Sequence, residues 1–137
     1  MSKTVLITGC RSGFGLLAAK EAAEAGWTVY AGLRDLETRG QLEEETRGFS
    51  VIPIQLDVTR PAEREKAVAQ ILAEQCRIDA LVNNAGLGFG GFMETVAEGE
   101  LRRVLEVNFF SAWALTKACL PPMREAGSGK IIMVSSQ

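Results

Sequence analysis

"TVLITGCRSGFG" (Thr4–Gly15) is the stretch that decides the fold. Thr4 to Thr8 are apolar or β-branched and read as a strand. Gly9, Gly13 and Gly15 follow, and Gly13 to Ala25 has a helical pattern that ends at Gly26 in the helix-terminating position. So tight a turn from strand to helix needs a residue free of Cβ restrictions, which suits Gly9. A phosphate lying on backbone N–H groups needs a surface without side chains, which suits Gly13. Close packing of helix on strand suits Gly15. The helix N-terminus then offers free N–H groups and a positive dipole end to a pyrophosphate. The spacing is G-x-x-x-G-x-G rather than the commoner G-x-G-x-x-G, and no Gly-Lys-Ser/Thr of a P-loop follows. A plain turn could use the same residues. Their place between a first strand and a first helix favours a dinucleotide site.

The alternation of strand and helix continues outward from this turn. "TVYAGL" (28–33) reads as a second strand, followed by a polar helix from Thr38 to Thr46. "SVIPIQLDV" (50–58) is a third strand, and Pro61 opens a helix that runs to about Gln75. "IDALVN" (78–83) is a fourth strand, "AGLGFGG" (85–91) a glycine-rich loop, and Glu98 to Pro121 a long helical region. "KIIMV" (130–134) is a fifth strand; Ile131 to Val134 are apolar on both alternations, as in a strand buried on both faces. Alternating units with near-continuous apolar strands predict an α/β fold, a parallel sheet with helices on both faces. No internal repeat, linker or low-complexity segment interrupts it.

The 137 residues suit one domain, and 47% hydrophobic residues suffice for a core. A charged fraction of 23% and a net charge of −2 give no reason to expect nucleic acid or an anionic membrane as partner. No stretch reaches the roughly 18 apolar residues of a membrane span. "MSKTVLITG" runs straight into a strand without the apolar region of a signal peptide. Cys10, Cys76 and Cys119 are odd in number and form no Cys-x-x-Cys pair, so they read as reduced thiols in a cytoplasmic protein. The absence of histidine removes His-based triads and most zinc sites, and no metal is expected.

"TGCRSGFG" (8–15) and "NNAG" (83–86) together resemble the short-chain dehydrogenase/reductase family. "LDV" (56–58), "VN" (107–108) and "VSS" (134–136) fit it in order and spacing. "VYAGLRDLETRGQL", "NNAGLGFGGFME" and "GSGKIIMVSS" look most like its hydroxysteroid and retinol dehydrogenase branch. The resemblance implies a Rossmann-type doubly wound sheet of strand order 3-2-1-4-5. It also implies NAD(P)-dependent hydride transfer at a carbonyl or alcohol of a small, hydrophobic substrate. The turn from Gly9 through Arg11, Ser12, Gly13 and Phe14 to Gly15 is then expected to hold the cofactor.

A carboxylate at the end of the second strand selects NAD, and a cation there selects NADP. The resemblance makes Leu33 the discriminating position, which carries no charge. Arg34 is then placed to stack on adenine and pair with the 2′-phosphate, with Arg11 as a second cation. NADP(H) is the expected cofactor and NAD(H) the alternative. Asp35, about twenty residues beyond Gly15, is the rival ribose ligand, or else a cap for the next helix. Arg34 and Arg11 could also be merely solvated.

Other roles are carried over by the same resemblance. Asp57 accepts from the adenine amino group, or is a turn residue at a strand end. Val58 lies against adenine, or packs in the core. Asn83, Ala85 and Gly86 line the adenosine side, whereas Asn84 reads as structural, tying adjacent strands. Asn108 is a poor helix former inside a long helix. Val104, Val107 and Leu115 share or adjoin its face, which places it toward the sheet rather than water; in the family it disturbs the helix and helps order a water and the catalytic lysine. Ser136 hydrogen-bonds the substrate oxygen in this reading, with Ser135 its neighbour on the other face. Both could be ordinary loop serines.

The family's chemistry also needs a Tyr-x-x-x-Lys pair on a following helix. The single tyrosine, Tyr30, lies inside the second strand, and "YAGLR" (30–34) imitates the spacing at the wrong end of the site. The expectation is therefore that residues 1–137 are the N-terminal portion of a longer enzyme, inactive alone, whose intact form is a homodimer or homotetramer. A different class of reading is a non-catalytic dinucleotide-binding or regulatory protein. A downstream Tyr-x-x-x-Lys separates the two.

Overall fold

The computed structural model describes residues 2–135. Its sheet contains β1 (Thr4–Ile7), β2 (Thr28–Leu33), β3 (Val51–Gln55), β4 (Ala80–Asn83) and β5 (Lys130–Met133). All are parallel, in the order β3-β2-β1-β4-β5. Val5 stands between Val29 and Ala80, and Ile7 between Ala31 and Val82. Every residue of β1 and β2 is buried, because helices cover both faces of the sheet centre.

The apolar alternation explains the two layers. Leu6, Tyr30 and Leu81 face α3 (Pro61–Gln75) and α5 (Ser111–Ala126), meeting Val68, Ile71, Leu115 and Cys119. Val5, Ile7, Val29 and Leu33 face α1 (Gly13–Glu24) and α2 (Gly40–Glu45), meeting Leu16, Ala19 and Leu42. The chain moves from β1 out to β3 and then returns to β4 on the other side. That reversal leaves a crevice at the carboxyl ends of β1 and β4, the place where open α/β sheets bind ligands.

Several boundaries differ from the sequence expectation. The third strand ends at Gln55, and Leu56 to Val58 continue as irregular chain into α3. The expected helix from Thr38 to Thr46 is a 3-10 turn over Leu36–Thr38 followed by the short α2. The long helical region is divided: α4 (Glu98–Leu105), one wider π turn over Glu106–Phe110, then α5, which continues past Pro121 and Pro122 to Ala126. The buried stripe Ser111, Leu115, Cys119 and Met123 carries α5 through those prolines. β5 is not buried on both faces. It pairs with β4 alone among the described residues, so Ile132, Met133 and Val134 are each about half exposed while Ile131 packs on the core. Among the described residues, no helix is long and apolar enough to cross a membrane, and no cluster of side chains could hold a metal.

Candidate functional site

The glycine turn sits at the carboxyl end of β1. Gly9 has φ +69° and Gly13 φ +60°, a backbone region where a Cβ is strained. A Cβ on Gly9 would also stand 3.0 Å from Ala85 Cα. A Cβ on Gly15 would overlap the Gly9 carbonyl, so α1 closes directly onto the turn. Nothing lies within 4 Å of the Cβ position at Gly13, which leaves the backbone open above it. Ser12 occupies the N-cap of α1 but its side chain makes no capping bond, and the first helical turn carries no acidic residue. Unpaired N–H groups and a positive helix end therefore face open space, an arrangement that fits a pyrophosphate.

A second strand tip locks this turn in place. The Thr8 hydroxyl accepts from the N–H groups of Asn84 (3.0 Å) and Ala85 (2.9 Å). Asn84 Nδ2 returns to the carbonyls of Thr8 (3.1 Å) and Gly9 (3.2 Å). Asn84 thus ties β1 to β4 through backbone, as its sequence reading expects. Cys10 is buried beneath the turn and donates to the Ile7 carbonyl; burial pushes its thiol up to about 12, so it stays protonated at neutral pH.

Two connected hollows run from the turn along the sheet edge. The larger, about 710 Å³, is lined by Gly9, Arg11, Ser12, Leu33, Arg34 and Asp57 among others. The smaller, about 160 Å³, is lined by Arg34, Asp57, Val58, Ala85, Gly86 and Arg103 among others. Leu33 closes β2 without a charge, and Arg34 stands in both hollows. Asp35 is a cap: its Oδ1 accepts from the Glu37 N–H (3.0 Å). Asp57 has two faces. Its Oδ1 accepts from Thr59 N–H (3.0 Å) and Oγ1 (2.7 Å), while Oδ2 lies 3.5 Å from Arg60 Nε. Burial would raise this carboxyl. The Thr59 bonds, with the charges of Arg34 and Arg60, outweigh burial and hold it below the ordinary carboxylate value. It is ionised at neutral pH and able to accept.

The remaining expected residues are not all gathered. Phe14 points outward, 78% exposed. Asn83 is buried and its amide is committed to Thr116 Oγ1 (3.0 Å) and Met133 Sδ (3.3 Å). Asn108 is exposed rather than turned toward the sheet. The π turn rotates its side chain onto the loop after β4, where Oδ1 accepts from Leu87 N–H and Nδ2 donates to Leu87 O, both at 2.7 Å. It lies within the π turn that divides the helical region. Ser136 lies outside the described residues, and Ser135 is exposed. Tyr30 is buried and bonded to Glu74 and Gln75, on the α3 side of the sheet.

Sequence reasoning missed Thr8, Gln55 and Arg103. A threonine at the end of a β-branched strand carries no mark of its second bond partner. Arg103 reaches the smaller hollow from α4, and no spacing rule ties it to Asp57.

An open parallel sheet of this order, with a glycine turn at its reversal point, is a Rossmann-type fold. Residues 3–137 match the short chain dehydrogenase family, and the chain belongs to that family. It is 42% identical over 132 residues to 3-ketodihydrosphingosine reductase of Bacteroides thetaiotaomicron, covering 96% of this chain and 46% of that protein. It is 40% identical over 145 residues to human 17-beta-hydroxysteroid dehydrogenase type 1, covering 99% and 44%. Among solved structures, a metagenomic short-chain oxidoreductase in complex with NADP superposes with a TM-score of 0.91 at 30% identity, covering 98% of this chain and 62% of that one. A short-chain dehydrogenase from Streptomyces avermitilis superposes with a TM-score of 0.87 at 40% identity, covering 95% and 47%. The chain spans about half the length of the curated relatives it matches.

Proposed function

We propose that the chain is the dinucleotide-binding portion of an NADP(H)-dependent oxidoreductase acting on the carbonyl or alcohol of a small hydrophobic substrate. The observation that carries the reading is the glycine turn set against a cleft with Arg11 and Arg34 on its walls and no acid at Leu33. Asp35, the rival ligand for a ribose 2′-OH, is engaged as a cap. The NADP of the metagenomic relative supports the same reading.

The residues divide the work by position. Backbone N–H groups of Ser12, Gly13 and Phe14 face the pyrophosphate, with Gly9 and Gly15 giving the turn its shape. Arg34 and Arg11 take the 2′-phosphate. Asp57 accepts from the adenine amino group, Val58 packs on the ring, and Ala85 and Gly86 allow close approach, with Asn83 bracing the end of β4 behind them. The bound nicotinamide supplies hydride exchange with the substrate carbon. Ser136 holds the substrate oxygen, and Asn108 fixes the loop after β4. Proton transfer falls to a Tyr-x-x-x-Lys pair outside these 137 residues, since Tyr30 is enclosed between sheet and α3.

The substrate class rests on two supports. Relatives named for 3-ketodihydrosphingosine, hydroxysteroids and retinol all take their names from lipophilic molecules. Phe92 and Met93 stand exposed in the glycine-rich loop region. The free thiols of Cys10, Cys76 and Cys119 support a cytoplasmic setting. Exposed Phe109, Phe110 and Trp113 along the π turn and α5 support pairing of the intact enzyme into dimers or tetramers.

Titration of NADPH and NADH tests the cofactor assignment. NADPH binds at least about tenfold more tightly if Arg34 makes a charge-assisted contact, and Arg34→Glu reverses the order. Equal affinities in the unchanged protein, or no response to the substitution, reject the assignment.

A further inference from the structure

We propose that Gln55 is the positioning residue that sets Arg34 for the cofactor's 2′-phosphate, an inference resting on the NADP(H) reading above. Gln55 is the last residue of β3 and is exposed. Both N–H groups of its carboxamide and one lone pair of its oxygen are engaged along the cleft wall. Nε2 donates to the Arg34 carbonyl (2.6 Å) and to Glu63 Oε1 (2.9 Å). Oε1 accepts from the Leu36 N–H (3.2 Å).

This set of partners determines which way the amide faces. Two acceptors meet the NH₂ and one donor meets the oxygen, so the flipped amide would set like against like at each contact. Only a carboxamide satisfies all three; glutamate would repel both the Arg34 carbonyl and Glu63. The bonds bracket residues 34–36, the segment that leaves β2 and carries the Arg34 side chain into the cleft. On the strand side, Leu56 N–H donates to the Leu33 carbonyl (2.7 Å). The segment is therefore held by backbone before Arg34 and by the Gln55 side chain after it.

Glu63 links this clamp to the opposite lip. The same Oε1 that orients Gln55 accepts from the Asp57 N–H (3.0 Å). Arg60 Nε lies 3.5 Å from Asp57 Oδ2 and 3.6 Å from Glu63 Oε2. A guanidinium whose backbone is already fixed loses less freedom when it meets a phosphate, which is where preorganisation adds affinity. Gln55 touches the loop that reads the 2′-phosphate and not the glycine turn. Its loss should weaken the phosphate-specific part of binding selectively.

The experiment compares the full chain with Gln55→Met, which keeps the length and removes every polar contact, and with Gln55→Ala as a second variant. The position of change is exposed, and melting curves verify folding of both variants. Affinities are measured for NADPH and NADH, and for 2′,5′-ADP and 5′-ADP as probes that isolate the 2′-phosphate. The expected result is a fall of about fivefold in the NADPH-to-NADH and 2′,5′-ADP-to-5′-ADP affinity ratios, with NADH and 5′-ADP binding changed less than about twofold. Parallel weakening of all four ligands would mean a merely structural glutamine and overturns the inference. So does an NADPH preference that survives both substitutions intact. No preference in the unchanged protein overturns the cofactor reading itself, and this inference with it.

Discussion

At the scale of single residues, Gly15 illustrates how a missing side chain can be a requirement. Its Cβ position coincides with the Gly9 carbonyl and lies 2.6 Å from Asn84 Nδ2. Neither neighbour can yield: the first is backbone of the turn, and the second is bonded to Thr8 and Gly9 carbonyls. Gly15→Ala must therefore push α1 off the turn. The expected outcome is a loss of about 2–3 kcal/mol in urea-unfolding stability, together with loss of detectable dinucleotide binding. Gly13 provides the contrast. Its Cβ position is open and only its φ of +60° resists substitution, so Gly13→Ala should cost about 1–2 kcal/mol and leave the packing intact. The same measurement separates the two glycines.

At the scale of elements, two ties outside the main ladders hold strands and helices to the site. Asn108 joins the π turn to the loop after β4 by two bonds to Leu87. Asn108→Ala frees both groups of Leu87 and should cost about 1–2 kcal/mol, while hydrogen exchange at the Leu87 amide accelerates. The other tie is at the entry to the sheet. Asp79 Oδ2 accepts from the Thr4 N–H (2.7 Å) and from Arg77 Nε (2.7 Å), and its own N–H and carbonyl bond Thr4 and Lys130. Burial would raise the Asp79 carboxyl, but the Arg77 and Thr4 bonds outweigh it and hold it below the ordinary value. A depressed folded pKa means stability that is fully present above about pH 4 and lost as pH falls through the lowered value. Acid unfolding followed by circular dichroism should show this component, and Asp79→Asn should flatten it.

These ties also mark what was legible in the sequence. The layers and the turn follow from glycine spacing and apolar runs, signals that are local, whereas the strand order comes from the family resemblance carried by the motifs. The placement of Asn108 was not legible, because its helix widens by one residue and helical spacing no longer gives its direction. The end of β3 was missed for a similar reason: Leu56 and Val58 are buried while lying outside the ladder, so an apolar pattern overstates the strand. Thr8 and Gln55 act across gaps of 76 and 21 residues, distances at which a single sequence carries no pairing signal.

At the scale of the whole molecule, the proposed function divides cofactor binding from proton transfer. The cleft is assembled from loops after β1, β2, β3 and β4. The single tyrosine is locked into the core, its hydroxyl pKa raised by burial and by the Glu74 carboxylate. Residues 1–137 alone should therefore bind NADPH but show no ketone or aldehyde reduction when NADPH absorbance is followed. A longer protein carrying the Tyr-x-x-x-Lys pair should turn over, and Ser136→Ala should lower its turnover strongly with NADPH affinity nearly unchanged. Robust reduction by residues 1–137 would defeat this division of labour.

The strand order also sets a timetable for synthesis on the ribosome. β1 is central, yet its partner β4 is encoded far downstream: Ile7 pairs with Val82. At about 5–20 residues per second, some 4–15 seconds separate the emergence of the two. During that interval β2 can cover one edge of β1, while the other presents Val5, Leu6 and Ile7 as an open template for any passing strand. The nascent chain is thus most exposed to mispairing between the emergence of β2 and that of β4, and a chaperone that shields β1 through that window would act before β4 can.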